Sequence, residues 1–320
     1  MRIIRHKINL QNLLSGVSGI FKRDMMGIKM NIRITFAIVL SGSCLLASGS
    51  AFAGVSMLQE GESSVSLDVS YSGSNQHWDA NRNLIASPCK PRNAAAKVSY
   101  SHGYSYFHTI FANVTVADRR CGESTPGVPV PGNATGLGDG EIGVRTRFNN
   151  YRNNAAWEAF LVIPMGYDTA SPSRLGSGSL GLGLGVILSS YDKVFGSKSW
   201  GWQAGSQFIY TFSGHANRWR TYGEISYAFT ESDFQYTGDF LSLRNIYSVT
   251  VGGNRNGALG FINQAQGSIS GTVSDALSLT YTHDFRNGYS ISPRVTKALF
   301  GRSSANFLSF GVSLRYRWRD

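Results

Sequence analysis

The chain of 320 residues has only 15% charged residues, against about 25% in an ordinary soluble domain, and 12% aromatic residues. Its formal net charge is +11. Residues 1–53 hold seven Lys/Arg and one Asp, so residues 54–320 keep 23 basic and 18 acidic residues, a net charge of +5. The basic excess lies beside an apolar N-terminal stretch, which favours membrane targeting over nucleic-acid binding.

An apolar segment near the N-terminus has the features of a secretory signal peptide. It runs from Ile34 to Ala47, follows Lys29 and Arg33, and is succeeded by Ala51-Phe52-Ala53. A basic flank, about 7–15 apolar residues and an Ala-x-Ala ending are typical of such a peptide. A transmembrane helix needs about 20 apolar residues, and this run is shorter.

This segment divides the chain into three parts. We expect residues 1–29 to be a dispensable leader or a mis-assigned start, and residues 30–53 to be the signal peptide. Residues 54–320 then form the mature protein, with cleavage between Ala53 and Gly54.

Apolar and polar residues alternate repeatedly along the mature chain. The alternation is clearest in residues 64–71, 141–148, 157–167, 180–188 and 307–320. Successive side chains of a strand point to opposite faces, so each segment has one apolar face. Most segments are about 9–13 residues long, which suits a tilted membrane strand, whereas soluble strands average about 5–6 residues. Twelve segments are centred near residues 67, 98, 111, 145, 161, 184, 207, 225, 246, 279, 293 and 311.

The pattern predicts an all-β fold, a transmembrane antiparallel β-barrel of about 12 strands. Connections after the first, third, fifth and ninth segments are long, at roughly residues 73–93, 118–139, 169–177 and 253–271. Those after the second, fourth and tenth segments are tight. Long external loops and short periplasmic turns are typical of bacterial outer-membrane barrels. The stretch 253–271 can also hide part of a strand.

Two prolines conflict with this pattern. Pro164 and Pro293 fall inside predicted strands. A closed barrel has no edge strand on which a missing N–H group is harmless. We therefore expect a β-bulge or a break in the strand at each position.

The two cysteines of the mature chain, Cys89 and Cys121, fall in the first and second predicted external loops. An exported protein meets an oxidising compartment, so a disulfide between these neighbouring loops is predicted. Their spacing, without a nearby His, excludes a CxxC-type metal or redox site.

Two short motifs suggest chemistry but have simpler explanations. Residues 138–143, GDGEIG, match the dinucleotide fingerprint, which requires a preceding strand and a following helix rather than the loop and strand expected here. His283 and Asn287 resemble the H-x-x-N-G pattern of an outer-membrane phospholipase, but their spacing is one residue too long. Asn287-Gly288 is typical of a hairpin turn. We predict no cofactor, no metal site and no enzymatic activity.

Eleven charged residues alternate with the apolar faces and are predicted to line the lumen. They are Lys97, Glu141, Arg145, Arg147, Glu158, Arg220, Glu224, Arg244, Arg294, Arg315 and Arg317. One interpretation is an ion-pair network that braces a narrow barrel. The other is a charged passage or binding site for an anionic or amphiphilic solute. Twelve strands give a lumen between the filled eight-strand barrel and the open porin, so both interpretations stay open.

Three stretches resemble one family. KVSYSHGYSYFHTIFANVTVAD, GLGDGEIGVRTRF and FLVIPMGYDTASPSRLGSGSLGLGLG are similar to the outer-membrane proteins of the MetA-pathway of phenol degradation family. Gly136-Leu137-Gly138-Asp139 match its glycine-rich element, and Pro164 with Gly166 match its L-x-x-P-x-G strand end. The resemblance covers roughly residues 62–318.

This resemblance implies an outer-membrane channel or transporter for small hydrophobic or aromatic compounds. The alternative function is that of a structural or adhesive surface barrel acting through its external loops. A phospholipase-type enzyme is a third, weaker alternative.

The last strand contains an assembly signal, and its pattern predicts which of its two faces meets lipid. Its signal residues resemble the pattern that the barrel-assembly machinery reads: Ser309, Gly311, Leu314 and Tyr316. A departure is that Arg319 and Asp320 follow the terminal aromatic residue. We expect the apolar face of this strand to meet outer-membrane lipid and its arginines to meet the lumen. Lipid and the assembly machinery are thus the expected partners, with a small-molecule solute and no nucleic acid.

Cleavage of the signal peptide is the first testable prediction. Because Ala51-Phe52-Ala53 matches the specificity of signal peptidase, the mature chain is expected to begin at Gly54. Intact-mass analysis of outer-membrane fractions checks this. A mature protein that retains residues 34–47 would contradict it.

Overall fold

The computed structural model describes residues 57–87, 89–124, 133–148, 154–165, 175, 179–190, 200–212, 216–229, 238–251, 272–285 and 287–319. The predicted signal peptide and cleavage site lie outside these residues, as do all of residues 253–271. None of the described residues belongs to a helix that is long and apolar enough to cross a membrane.

The described residues form fifteen strands. In chain order they are β1 (Glu62–Gly73), β2 (Gln76–Trp78), β3 (Leu84–Ala86), β4 (Cys89–Gly103), β5 (His108–Ser124), β6 (Ala134–Arg147), β7 (Asn154–Pro164), β8 (Gly181–Ser190), β9 (Trp200–Thr211), β10 (Asn217–Ala228), β11 (Gly238–Val251), β12 (Val273–Asp284), β13 (Tyr289–Arg302), β14 (Ser304–Ala305) and β15 (Leu308–Arg319).

Twelve of these strands close into one barrel, in the order β1-β15-β13-β12-β11-β10-β9-β8-β7-β6-β5-β4. The first and last strands, β1 and β15, pair antiparallel over their whole lengths, from Glu62 opposite Arg319 to Gly73 opposite Leu308. Each of the twelve predicted centres falls within a barrel strand. The predicted fold, a twelve-strand antiparallel barrel, is confirmed.

The exterior of the barrel is apolar. On β1, Val65, Leu67, Val69 and Tyr71 are 37–49% exposed, whereas Asp68 on the other face is 7% exposed. This alternation places the apolar face outside and the polar face in the lumen. A closed barrel pairs every strand and leaves no open edge, and an apolar exterior of this kind matches lipid. The protein is therefore a barrel of the Gram-negative outer membrane.

The terminal strand follows the same rule. Leu308, Phe310 and Val312 are 41%, 55% and 39% exposed, so they face lipid. The side chains of Arg315 and Arg317 are only 9% and 18% exposed and point to the lumen.

Aromatic side chains gather on the outer surface at the end of the barrel that carries the tight turns. Tyr289 and Tyr316 stack with ring centroids 4.4 Å apart, and Tyr316 stacks on Trp318 at 5.4 Å. Tyr100 approaches Trp318 at 6.5 Å. Such a girdle marks the interface between hydrocarbon and headgroups.

The first and second loops at the opposite end are shorter than predicted. Residues 89–93 belong to β4, and residues 118–124 and 134–139 belong to β5 and β6, so three predicted loop segments are strand. The first loop also contains β2 and β3, which pair with β14 in a small separate sheet, order β14-β2-β3. Prediction failed here because strand ends beyond the membrane lose the apolar face on which the alternation depends.

A turn in the first loop is held by one carboxylate. Asp79 Oδ1 accepts hydrogen bonds of 2.8 Å from the backbone N–H groups of Asn81 and Asn83. These bonds, the one from Asn83 first, hold the pKa of the Asp79 carboxyl below its usual value. Arg82 between them takes a left-handed φ of 68°.

Neither proline lies at a shift of register. Pro164 is the last residue of β7, so the strand ends where the proline lacks an N–H group. Pro293 pairs with Val312 of β15, and on its other side the ladder to β12 is interrupted without losing register. At the interruption a 2.9 Å hydrogen bond joins the hydroxyls of Thr282 and Ser292, which supplies a side-chain link where the proline has no N–H to donate. The expected bulge is thus wrong at both prolines, and β13 is not broken at Pro293: the strand continues, and only its ladder to β12 is interrupted.

The two cysteines lie in strands rather than in loops, which corrects the prediction of their position. Cys89 begins β4, and Cys121 on β5 is opposite Pro91 of β4. The two residues therefore share one hairpin at the long-loop end. Cys121 is disulfide-bonded. The side chain of Cys89 lies outside the described part of the chain, so its identity as the partner stays a prediction.

Thiol titration of a Cys89→Ala variant checks this pairing. If Cys89 is the partner, Cys121 should become a free thiol in the variant.

Candidate functional site

A row of polar side chains crosses the lumen wall from β6 to β10. Arg145 is directly opposite Glu158, and Gln207 is directly opposite Arg220. Between them the row passes through Gly185 on β8. Arg145 Nη2 lies 3.0 Å from Glu158 Oε2, and Glu158 is only 1% exposed.

Gly185 makes this row possible. The amide of Gln207 donates to Glu158 Oε1 across β8, from two strands away. A Cβ at Gly185 would lie 2.9 Å from that carboxylate oxygen and 3.0 Å from Gln207 Cγ. A side chain here would therefore separate the two groups, so glycine is needed for the close approach.

A second polar group lies on β9, β10 and β11. Arg244 Nε is 3.5 Å from Glu224 Oε2, and its guanidinium lies 4.1 Å from the ring centroid of Tyr222. The Tyr222 hydroxyl accepts a 2.7 Å hydrogen bond from Gln203, and its ring lies over Gly205, where a Cβ would come within 2.4 Å of it. Glycine again lets a long side chain lie across a neighbouring strand.

Three ion pairs lie beside the closure of the barrel. Arg294 Nη2 contacts Asp68 at 2.9 Å, across the β15 strand at Gly311. Two more pairs lie towards the tight-turn end, Arg315 with Asp284 at 3.2 Å and Arg317 with Glu62 at 3.3 Å.

Three of the eleven predicted lumen charges remain to be placed: Lys97, Glu141 and Arg147. Glu141 accepts a 2.9 Å hydrogen bond from Asn113 and lies within electrostatic reach of Lys97 and Arg220. The Arg147 guanidinium lies 5.3 Å from the ring centroid of Tyr106. The structure thus brings the predicted charges into several groups around one lumen; their roles in transport stay proposals.

Sequence analysis missed the acidic partners at the closure, Glu62, Asp68 and Asp284, and the amide of Gln207. Asp68 lies within the alternating segment 64–71 but was not among the predicted lumen charges. An in-phase count of acidic residues along the strands would have found all three, because they share the parity of the polar face.

An apolar patch also faces the lumen, on β5, β7 and β9. It contains Phe111, Phe160, Val162 and Ile209, and the last three are only 2–5% exposed. The two phenyl rings are 6.2 Å apart, and the guanidinium of Arg145 lies 5.5 Å from the Phe111 centroid. The ring of Phe160 covers Gly183, where a Cβ would meet it at 2.2 Å.

This apolar patch was not predicted because β7 is apolar on both faces around it. Trp157, Leu161 and Ile163 face lipid, and Phe160 and Val162 between them face the lumen. Alternation between an apolar and a polar face is therefore absent at these positions, and periodicity could not identify the inward residues.

A segment before β1 crosses the lumen at the tight-turn end. Met57 is 7% exposed and packs with Ala156 of β7 and Ile187 of β8, beside Tyr222. β7 and β8 are four and five strands away from β1 around the barrel, on the opposite wall. The segment is anchored by a 2.9 Å bond from the Gly61 N–H to the carbonyl of Gly103.

The residues that resembled a lipase have structural contacts. His283 Nδ1 contacts a carboxylate oxygen of Asp239, and its ring packs edge-on against Phe285. Gly288 closes the hairpin with a φ of 85°, and a Cβ there would lie 2.3 Å from the Arg317 carbonyl. The GDGEIG motif lies inside strand β6, with no helix after it in the described chain. The prediction that the protein is not an enzyme stays a prediction.

Comparison with known proteins identifies the fold. No family model and no curated protein matches this chain, so membership of the MetA-pathway family stays a prediction. The crystal structure of an outer membrane channel from Pseudomonas putida F1 is similar with a TM-score of 0.63 and 11% identity, covering 84% of this chain and 99% of that one. At this identity the likeness shows a shared fold.

Two porins are more distant. The KdgM porin in complex with disordered oligogalacturonate has a TM-score of 0.42 and 7% identity, covering 78% of this chain and 98% of that one. The NanC porin has a TM-score of 0.42 and 11% identity, with the same coverage. These likenesses are too remote to bear on the function of this chain.

The interaction between Arg145 and Glu158 generates a stability prediction. In Glu158→Gln, Arg145 keeps its charge but loses its buried counter-ion, so the free energy of unfolding should fall by about 3 kcal/mol. The figure is at the low end of the usual range because Arg145 is 24% exposed to solvent. Chemical unfolding in lipid vesicles, followed by tryptophan fluorescence, measures it.

Two further variants control this measurement. The exposed Glu60→Gln should change little, since surface charges contribute about 0–1 kcal/mol. The double variant Arg145→Met/Glu158→Gln should recover part of the loss, because both charges are removed together. Equal losses in the single and double variants would contradict a direct charge interaction.

Proposed function

We propose that this protein is a passive outer-membrane channel for small amphiphilic solutes that carry an apolar or aromatic part and a negative charge. The observation that carries the proposal is the arrangement of the lumen: the apolar patch of Phe111, Phe160, Val162 and Ile209 adjoins the row that contains Arg145 and Arg220. An aromatic carboxylate presents the matching pair of surfaces.

The two surfaces are placed to act in sequence. Phe160 is directly opposite Gly183 and two residues from Glu158, so the apolar patch lies about 7 Å along the strand from the polar row. It lies on the side of the row nearer to the long loops. A solute entering from outside would meet the aromatic rings first, and then the guanidinium groups.

The charge of the row favours anions over cations. Within the row Arg145 and Arg220 flank the single carboxylate of Glu158, whereas Arg244, on the strand beyond Arg220, is paired with its own carboxylate, Glu224. Guanidinium groups bind carboxylates by paired, charge-assisted hydrogen bonds. The bracing interpretation and the passage interpretation are compatible, because ion pairs that hold the wall leave N–H donors for a passing anion.

The residues before β1 supply the closed state of this channel. Residues 57–61 lie across the tight-turn end, held by the apolar contact of Met57 with Ala156 and Ile187. If the signal peptide is cleaved after Ala53, only three residues precede Met57. So short a segment can leave the lumen without unfolding any strand.

The alternative of an adhesive barrel depends on the external loops, much of which lies outside the described residues. The alternative of a phospholipase rested on His283 and Asn287. His283 has the structural contacts described above, and Asn287 Oδ1 accepts a 3.4 Å hydrogen bond from the backbone N–H of Tyr289.

The apolar patch can be tested by selective transport. In Phe160→Ala, the ratio of benzoate to acetate flux into proteoliposomes should fall roughly fivefold, since a lost aromatic contact is worth about 1 kcal/mol. Leu161→Ala is the matched control, because it removes a similar side chain from the lipid face of the same strand. An unchanged ratio in the folded Phe160 variant, or an equal fall in both variants, would contradict the proposed passage.

The closed state can be tested in planar bilayers. Met57→Asp places a charge against Ala156 and Ile187, and a loss of 1–2 kcal/mol of contact energy should raise the ratio of open to closed channels about five- to thirtyfold. The exposed Glu60→Ala should leave the ratio unchanged. Identical open probability in the wild type and Met57→Asp would show that the segment does not obstruct the lumen.

A further inference from the structure

A cleft lies on the outer surface of the barrel, beside the closure and at the long-loop end. It encloses about 370 Å³ between the ends of β1, β4, β13 and β15. The residues that line it are Tyr71, Gly73, Ser74, Asn75, Gln76, Lys90, Pro91, Arg92, Lys297, Asn306 and Leu308. Nothing in the proposed channel uses this surface, which faces away from the lumen.

The register of the strands explains the shape of the cleft. Lys297 is directly opposite Leu308, Leu308 is opposite Gly73, and Gly73 is opposite Arg92, so the four residues form one row around the exterior. Gly73 is two residues from Tyr71 on β1, so the row lies on the same face as Tyr71, which is 49% exposed and points outward. Because Gly73 has no side chain, a gap opens between Leu308 and Arg92.

The cleft is cationic. Lys90, Arg92 and Lys297 are all exposed, and of the described residues that line the cleft none is acidic. Asn306 accepts a hydrogen bond from Lys297 Nζ and so holds that ammonium group at the rim. On the next strand Arg120 is directly opposite Arg92, with its own charge paired to Asp118 at 2.8 Å. The field at the cleft therefore attracts an anion.

The position of the cleft relative to the membrane indicates where that anion comes from. The long-loop end of such a barrel is external. Tyr71 lies two residues nearer the membrane centre than Gly73, or about 7 Å along the strand. An outward aromatic residue marks the edge of the hydrocarbon layer. Arg92 and Lys297 thus lie at the depth of the headgroups of the outer leaflet.

We propose that this cleft binds the phosphorylated headgroup of an outer-leaflet glycolipid. Arg92, Lys90 and Lys297 contact its phosphate, and the exposed polar side chains of Asn75 and Gln76 contact its sugar. Tyr71 and Leu308 contact the start of its acyl chains. Arginine suits this role because its planar fork binds phosphate through two hydrogen bonds. A lipid fits better than a free phosphate because the cleft combines cations with apolar side chains on the lipid-facing surface.

The experiment uses the mature full-length protein refolded in detergent. Native mass spectrometry measures the binding of diphosphoryl lipid A, and of the same lipid after removal of its phosphates. Wild-type protein should bind the phosphorylated form at least about tenfold more tightly, and Arg92→Gln should lose roughly tenfold in affinity. The matched control is Arg82→Gln, because it removes an exposed cation from the same end of the barrel but outside the cleft.

Three outcomes would overturn the proposal. One is equal binding by wild-type protein and a triple variant of Lys90, Arg92 and Lys297 to Gln that remains folded on heat-modifiability gels. Another is equal binding of the two lipid forms. The third concerns competition. If glucosamine phosphate displaced the bound lipid at the same concentration as added, unbound lipid A does, the cleft would be a site for soluble phosphates.

Discussion

The backbone ladder between β1 and β15 is the interaction on which the rest of the structure depends. In hydrocarbon an unpaired N–H or C=O group costs several kcal/mol, so an open edge cannot persist there. The twelve residue pairs from Glu62–Arg319 to Gly73–Leu308 remove that edge. They also bring together side chains more than 200 residues apart, and each feature at the closure follows from this pairing.

Several of these features differ in chemistry but share the closure. On the lumen side, Arg294 reaches Asp68 across Gly311 of the last strand. At the periplasmic end, Arg317 meets Glu62 at the start of the first strand. On the outer side, the row from Lys297 to Arg92 lines the cationic cleft. A shift of register by one residue would exchange the two faces and destroy all three.

The narrow lumen imposes a second constraint. A charge inside a twelve-strand barrel is partly withdrawn from water and must find a partner of opposite sign or a hydrogen bond. Long side chains meet this need by lying flat across a neighbouring strand. Gly183, Gly185, Gly205 and Gly311 each carry no side chain at the point of crossing. Four of the 37 glycines in the chain thus have a structural reason in the lumen.

The alternation of residues determined much of the fold in advance. Period two, segment length and the alternation of long and short connections are local properties, and they were sufficient for the number of barrel strands and the direction of most faces. They also placed Arg315 and Arg317 in the lumen, because charges on the opposite face would meet hydrocarbon. Strand ends at the long-loop side were not predictable, since lipid no longer enforces the alternation there.

Only the tertiary structure decided which residues meet. The sequence by itself determined that Glu158 and Arg145 point inward, but the stagger of neighbouring strands decided that they pair. It also decided that Gln207 reaches Glu158 over Gly185, and that Met57 rests against the far wall. Periodicity gave no signal where both faces are apolar, as at Phe160, because an apolar patch in the lumen and a lipid-facing exterior consist of the same kinds of side chain. Contacts across a lumen depend on register and curvature, which are properties of the closed barrel and not of any single strand.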